Sequence, residues 1–479
     1  MRPKLELLDR DLVRRILEEA FQLIDEVGVR VQTPEVIEML RSAGARIAEG
    51  RAHIPTSLAQ KALASAPREF HLYDRSGRAA VHYGGDDVHF DPGSSCLNVL
   101  DPDTLQARPA QAADLVRLVQ ITEMLPQYAA QSTAVVCGDV PQQLGDLYRL
   151  FLVLWYSDKP VVTGAFSAKG VQPMIDLLAV DAGGRAALAA KPRAVFDVCP
   201  SPPLNWSEFG AENLVELARA GVPTEVVSMP LAGVAAPVTL AGAVVQHAAE
   251  SISGIVIHQL AAAGAPIVWG GAAAIFDMCS ATTPMGAIET AMIDLACAQV
   301  GKHLGLPTHT YLVASDSKLV DAQAGMESGI SAMLGALAGV NMISGAGMLD
   351  FLACHSVEKL VIDAEAIASA QRLLEGIAVR TETLATAMAA AAAISGDYLS
   401  LPETRRLFRS EQHFPSSVID RSSGTQEEPG DTFRRARIRV AELLASYQRR
   451  QLPTELEERL RAVVEERGRE FGLEQLPGV

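Results

Sequence analysis

Between residues 87 and 352 the sequence repeats one pattern eight times: a short apolar run, then a longer stretch with helical periodicity. The runs fall at 88–91, 128–136, 160–166, 194–200, 224–229, 266–271, 309–314 and 341–345. Runs without regular polar alternation predict parallel strands covered on both faces by helices. The stretch 114–125 shows the intervening helical signature, with Leu115, Leu118, Val119 and Leu125 on one face. Eight units spaced by about 30–43 residues match an α/β fold of the eight-fold (β/α) TIM-barrel type. A doubly wound sheet is the alternative, but its GxGxxG fingerprint is absent, and so is a GxxxxGK[ST] loop. The nearest stretch, Gly345-Ala346-Gly347, lacks the third glycine.

Residues 1–86 read as an N-terminal helical and hairpin cap. Leu12, Ile16, Ala20, Leu23 and Val27 keep helical spacing up to Gly28. Thr33-Pro34-Glu35 and Thr56 start two further helices, and residues 70–73 and 79–83 flank an Asp74-Arg75-Ser76-Gly77 turn. Residues 353–479 read as a C-terminal helical extension. It holds helices near 364–376 and 384–394, a polar linker at 421–431, and a charged helical segment, 432–469, expected to wrap the barrel or a neighbouring subunit. One unit is oversized: 237–263 would make a helix of roughly 40 Å at 1.5 Å per residue. It is expected to break in two, its first part lying over the barrel mouth.

The 479 residues are 49% hydrophobic and 20% charged, a globular composition that excludes disorder as the main state. With 41 Lys and Arg against 57 Asp and Glu, the net charge of −16 argues against nucleic acid and anionic membranes as partners. Gly and Pro interrupt the apolar runs, so no membrane span is expected, and Met1 to Glu6 begin no secretory signal. The six cysteines form no CxxC pair and read as buried thiols of a cytoplasmic protein.

Active sites of such barrels lie at the C-terminal ends of the strands. That rule selects Ser94, Cys96 and Asn98, Cys137 and Asp139, residues 199–206, Met229, Phe276 and Asp277, Ser315-Asp316-Ser317-Lys318, and 345–355. Cys96, Cys137 and Cys199 could assemble a zinc thiolate, but without an adjacent-cysteine signature they read as small core residues, and no bound metal is expected. His247 and Glu250 share a helical face, while His258 is a further eleven residues on, too far for a common metal. A carboxylate such as Glu250 in an apolar mouth needs a partner, and a cationic ligand would supply one.

Four stretches together resemble the trimethylamine methyltransferase family, whose members pass a methyl group from an amine to a corrinoid protein. They are Ser228-Met229-Pro230-Leu231-Ala232-Gly233 with 237–242; His247-Ala248-Ala249-Glu250 with Ser253-Gly254; Ser315-Asp316-Ser317-Lys318 with Asp321, Gln323, Ala324, Gly325 and Glu327; and Leu337-Ala338-Gly339 leading to Gly345-Ala346-Gly347-Met348-Leu349. The resemblance runs from the N-terminal helices to about Arg421 and implies an eight-fold barrel, a partner corrinoid (cobalamin) protein and a small N-methylated amine substrate. Family members acting on trimethylamine carry pyrrolysine just before the Ser-Asp-x-Lys motif. Ala314 stands there in this chain. The resemblance is therefore to the non-pyrrolysine branch, which acts on quaternary amines such as glycine betaine.

A quaternary ammonium leaves as a neutral tertiary amine, so its demethylation needs no general acid. The protein has mainly to bind, orient and desolvate the substrate. Such a cation is held by aromatic faces and a carboxylate. Phe276, Tyr311, Trp269 and Phe351 are the candidate faces and Glu250 the candidate carboxylate. Glu250, in an electrostatic and orienting role, Ser315 and Asp316 are the expected catalytic residues and face one cavity. Lys318 or His355 would hold a substrate carboxylate, and Ala314 and Gln323 complete the expected substrate set. A homo-oligomer is also expected. A barrel lyase or isomerase and a non-catalytic quaternary-amine binder are the competing readings.

Overall fold

The computed structural model describes residues 3–167, 169–423, 430–472 and 475–478. Part of the polar linker read at 421–431, and Met1 and Arg2 of the opening segment, lie outside the described residues. Each of the eight apolar runs holds a strand: β1 (His89–Pro92), β2 (Gln131–Ser132), β3 (Val161–Gly164), β4 (Ala194–Val198), β5 (Thr224–Ser228), β6 (Ile267–Gly271), β7 (His309–Tyr311) and β8 (Met342–Ala346), with β1 and β8 each ending one residue past the run and the others lying inside it. Every residue of β4, β5, β6 and β8 is buried, as two helix-covered faces require.

The strands pair in parallel as a five-stranded sheet, β6-β5-β4-β3-β2, and a three-stranded sheet, β7-β8-β1. Bonds cross both gaps between them. The Trp269 N–H donates to Pro307 O at 2.9 Å between β6 and β7, and the Ala129 N–H to Phe90 O at 2.9 Å between β1 and β2. Beyond β2 the chain continues alongside the segment after β1, where the Cys96 N–H reaches Ala134 O at 3.0 Å. The pairing thus defines two parallel sheets bridged at both seams, without one uninterrupted ladder.

A helix follows each strand: α1 (Ala112–Met124), α2 (Gly145–Tyr156), α3 (Val171–Ala182), α4 (Glu208–Ala220), α5 (Leu240–Ala261), α6 (Ile288–His303), α7 (Ala322–Ala338) and α8 (Val357–Glu375). The expected break in the oversized unit does not occur. Helix α5 runs unbroken for 22 residues from its cap at Thr239, whose side chain accepts from the Gly242 N–H. Its length has another cause: the helices Arg10–Gln22 and Thr56–Ser65 pack on its outer side while β5 and β6 take the inner one. A helix buried all round is apolar all round. It is long and apolar enough to cross a bilayer, yet 78% of its most apolar window is buried inside the fold.

The cap is also less helical than expected. Val29–Val31, Arg46–Ala48 and Arg51–His53 form a small sheet that pairs with Asn205–Trp206, so the loop after β4 is pinned to the N-terminal region. The expected hairpin, Phe70–Tyr73 against Ala79–Tyr83, is present. Its Leu72, Val81 and Tyr83 pack with Ala130, Val162, Val195, Val268 and Met342 and plug the N-terminal ends of the strands. Helix α8 begins earlier than expected, because Ser356 caps it by accepting from the Lys359 N–H. In the C-terminal extension Thr432–Ser446 packs on α8 and α1, and Thr454–Glu470 on α3 and α2. The guanidinium groups of Arg449 and Arg461 each lie 4.7 Å from the Trp155 ring.

Candidate active site

The strands place ionisable groups inside the space they enclose. Asp91 on β1, Asp197 on β4, Glu225 on β5 and His309 on β7 are all buried, and so is Tyr311 two residues beyond His309. The Tyr311 hydroxyl donates to Asp197 Oδ2 at 2.9 Å and lies 2.8 Å from Ser94 Oγ, on the loop after β1. The Tyr83 hydroxyl, rising from the hairpin plug, donates to Glu225 Oε1 at 2.6 Å. Ser344 Oγ donates to Asp91 Oδ1 at 2.6 Å and lies 2.9 Å from His309 Nε2. Burial, reinforced by the neighbouring carboxylates, pushes Glu225 and Asp91 well above the usual carboxylate range. Burial likewise depresses His309. Among the described residues no Lys or Arg pairs with these three acids.

Above this floor the chain leaves β7 through Val313 and Ala314. Val313 sits at φ 61°, a left-handed conformation in which a β-branched residue is strained. It is pinned from both sides. The Val313 N–H donates to Ser331 Oγ at 3.0 Å, and its carbonyl accepts from Lys359 Nζ at 3.1 Å. The buried Lys359 also donates to Ser328 Oγ and Asp363 Oδ2, at 2.7 and 2.6 Å. Gly345 of β8 is the complementary feature: at φ 113° a Cβ there would stand 2.0 Å from Leu312 O. Only glycine lets β8 approach this turn.

The residues singled out from sequence have different fates. Ser315 and Asp316 hold the loop in shape: Ser315 Oγ and the Asp316 N–H both donate to Glu327 Oε2, at 2.5 and 2.9 Å. The Asp316 carboxylate accepts the N–H groups of Met285 and Gly286 on the loop after β6, at 2.8 and 2.9 Å. Gln323 is exposed and donates to Glu327 Oε1 at 2.9 Å. Glu250 is 1% exposed. It accepts from the Leu204 N–H at 2.8 Å, Ser228 Oγ at 2.6 Å and Gln246 Nε2 at 3.0 Å. It ties the exit of β5 to the loop after β4 and shares no hydrogen-bond partner with Ser315 or Asp316. The helix break that was to carry Glu250 over the mouth is absent.

Trp269 is no open face, since its indole N–H donates to Cys297 O at 2.9 Å and packs it between β6 and α6. His355 is fully buried, with its pKa depressed to about 3 by burial and by the nearby Lys359, so it cannot supply the charge expected for a substrate carboxylate. Phe276 is half-buried on the loop after β6. Lys318 Nζ lies 3.9 Å above the Phe351 ring and 3.5 Å from Asp350 Oδ1, so that ring already holds a cation of this chain. Burial raises the Cys137 and Cys199 thiols to about 12, as expected of unreactive cysteines. His247 meets Gly270 O at 3.0 Å and is depressed to about 4, a core histidine.

Asp91, Asp197, Glu225, His309 and Lys359 were not singled out from sequence. The signal was present for the first four: a charge inside an otherwise apolar strand, as in Ala194-Val195-Phe196-Asp197-Val198, must point to a partner. Around the mouth Leu97, Phe166, Met229, Val234, Met278 and Leu319, on the loops after β1, β3, β5, β6 and β7, are exposed. Beside them, at the exits of β1 to β3, opens a groove of 940 Å³ lined by Ser95, Cys137, Arg149 and Phe166.

The family model described as trimethylamine methyltransferase matches residues 1–472. A glycine betaine methyltransferase of Desulfitobacterium hafniense (strain Y51) is 29% identical over 98% of this chain and 99% of its own length. A trimethylamine methyltransferase, MttB, of Methanosarcina thermophila is 32% identical over 87% of this chain and 88% of its own. Among solved structures the monomethylamine methyltransferase of Methanosarcina barkeri aligns with a TM-score of 0.53 at 11% identity, over 92% of this chain and 89% of that one, a likeness of fold. A match over nearly the whole length, with relatives at this identity, makes the chain a member of the trimethylamine methyltransferase family.

Proposed function

We propose that this protein transfers a methyl group from a quaternary amine to the Co(I) corrinoid of a partner protein, and that its eight strands work as one closed (β/α)₈ barrel. The observation that carries this reading is the floor: Asp91, Asp197 and Glu225 are gathered there, each held by one hydroxyl, and among the described residues no Lys or Arg pairs with them. Burial holds Asp91 and Glu225 toward their neutral form, and a cationic ligand would favour the ionised one. The Tyr311 ring beside Asp197 offers that cation an aromatic face, worth roughly 0.5–2 kcal/mol. Ala314 adds only a methyl group where relatives with pyrrolysine have a long electrophilic side chain, so a neutral tertiary amine finds nothing here to activate it.

A docked corrinoid would supply the nucleophile that accepts the methyl group, with the tertiary amine as the leaving group. The exposed apolar rim and the adjoining groove suit such a visitor, since a large apolar surface around a mouth marks a docking surface. This chain's residues then bind and orient the cation and exclude water from it. Lys318, with its side chain 60% exposed at the rim, is the proposed partner of a substrate carboxylate. The test is to incubate the protein with reduced cobalamin and a panel of N-methyl amines and follow loss of the Co(I) spectrum. Turnover of glycine betaine or a longer betaine supports the proposal, and failure with every quaternary amine refutes it.

We also infer a homo-oligomer. In residues 377–399 the side chains of Ile377, Val379, Leu384, Ile394 and Leu399 are at least 76% exposed, and the helix Thr386–Ser395 buries only Ala392. A ten-residue helix is marginal alone in water and calls for a packing surface. Deleting 377–399 is expected to lower the assembly state seen in analytical ultracentrifugation.

A further inference from the structure

Asp197, Glu225 and His309 each offer one atom without a hydrogen-bond partner: Asp197 Oδ1, Glu225 Oε2 and His309 Nδ1. The three residues are all buried, and one potential ligand atom from each lies within 4.8 Å of the others. His309 Nδ1 and Glu225 Oε2 are 3.3 Å apart. We propose that these residues form a binding site for one divalent transition-metal cation of the zinc class. It draws on Asp197 and Glu225 of the same floor as the proposed methyl transfer, but its test reads metal retention and does not require that activity.

The strongest support is what surrounds the donors. Metal-binding side chains are normally oriented by hydrogen bonds to their other atoms. Here each of the three has one. The Tyr311 hydroxyl holds Asp197 Oδ2, the Tyr83 hydroxyl holds Glu225 Oε1, and Ser344 holds His309 Nε2. Ser344 Oγ gives its own proton to Asp91 Oδ1, so it must accept from the imidazole, whose Nε2 therefore carries the hydrogen. That leaves the Nδ1 lone pair bare and aimed into the cluster. Two carboxylates and one imidazole are a zinc-type donor set, and ligands about 2.0–2.2 Å from one ion stand roughly 3.2–3.6 Å apart. Small side-chain rotations would therefore close the site.

The test uses the full-length protein, stripped with a chelator, desalted and titrated with Zn(II) or Co(II). The expected result is one metal equivalent retained per chain, with Co(II) showing the visible bands of oxygen and nitrogen ligation. Retention should fall at least tenfold in Asp197→Asn and in His309→Gln. Tyr83→Phe, which alters only the support of Glu225, should weaken binding without removing it, with circular dichroism confirming the fold. No retained metal in the wild type, or equal retention in a folded His309→Gln, overturns the proposal. So does a thiolate charge-transfer band in the Co(II) protein, because the ion would then sit on cysteine, and that readout stands even if the variants do not fold.

Discussion

Replacing Lys359 with Met tests how the turn before Ala314 is held. The Lys359 ammonium, on a side chain 1% exposed, makes three donations: to the carbonyl of strained Val313, to Ser328 and to Asp363. The variant leaves Asp363 buried, with the Gly347 N–H at 2.7 Å among its few remaining supports. Removing one partner of a buried pair costs about 3–5 kcal/mol, and Val313 adds strain of about 1–3 kcal/mol that only its bond to Ser331 then restrains. Against a total stability of about 5–15 kcal/mol the fold survives, weakened. Chemical denaturation should show a loss of about 3–5 kcal/mol for Lys359→Met and a smaller loss for Lys359→Met with Asp363→Leu, which removes the stranded acid as well. Methyl transfer should also fall, because displacement of a substrate-positioning turn by about 1 Å costs roughly 100-fold. Val313→Gly, which takes up a positive φ without strain, should restore part of the lost stability when added to Lys359→Met. A Lys359→Met protein within about 1 kcal/mol of wild type would refute the account of this turn.

Three further outcomes are expected. Tyr311→Leu should raise KM for a quaternary amine roughly 2- to 30-fold, the equivalent of about 0.5–2 kcal/mol of aromatic contact, as read from initial rates. Glu250→Gln should cost about 1–3 kcal/mol of stability, by turning one of two oxygens that only accept into an N–H donor facing Ser228, while KM stays unchanged; a KM change without a stability change would return Glu250 to the substrate site. His258 is depressed to about 3 by burial, from an ordinary value near 6.5, so the unfolded chain binds a proton there that the folded chain does not. Its contribution is therefore full above about pH 6.5 and is lost as pH falls toward 3. His258→Gln should flatten the acid limb of stability against pH by up to about 1.4 kcal/mol per pH unit, measured by denaturation across that range.

The eight strands were legible because burial on both faces leaves a continuous apolar run, and each run holds its strand. The run at 128–136 yields only the two-residue strand Gln131–Ser132, since the residues around it bond the segment after β1 instead. The small sheet of Val29–Val31, Arg46–Ala48 and Arg51–His53 was missed because its strands are three residues long, below any readable period. Helix α5 misled for the opposite reason: its length suggested a break, whereas the N-terminal helices that cover it are remote in sequence. The site followed the same division. Loop membership at the strand ends was readable, but Asp316 and Glu250 turned out to spend their oxygens on backbone and side-chain donors of this chain. Asp197, Glu225 and His309 converge only when β4, β5 and β7, strands of two different sheets, enclose one space, and no spacing along the chain encodes that.

The central claim is that an anionic floor and Ala314 select a quaternary amine. It is tested most directly by comparing initial rates of Co(I) consumption with glycine betaine, a longer betaine and trimethylamine, at equal concentrations and with the same reduced cobalamin. A rate with one of the betaines that exceeds the trimethylamine rate, and that falls in Asp197→Asn, is the predicted result. Trimethylamine turned over as fast as the betaines would contradict it.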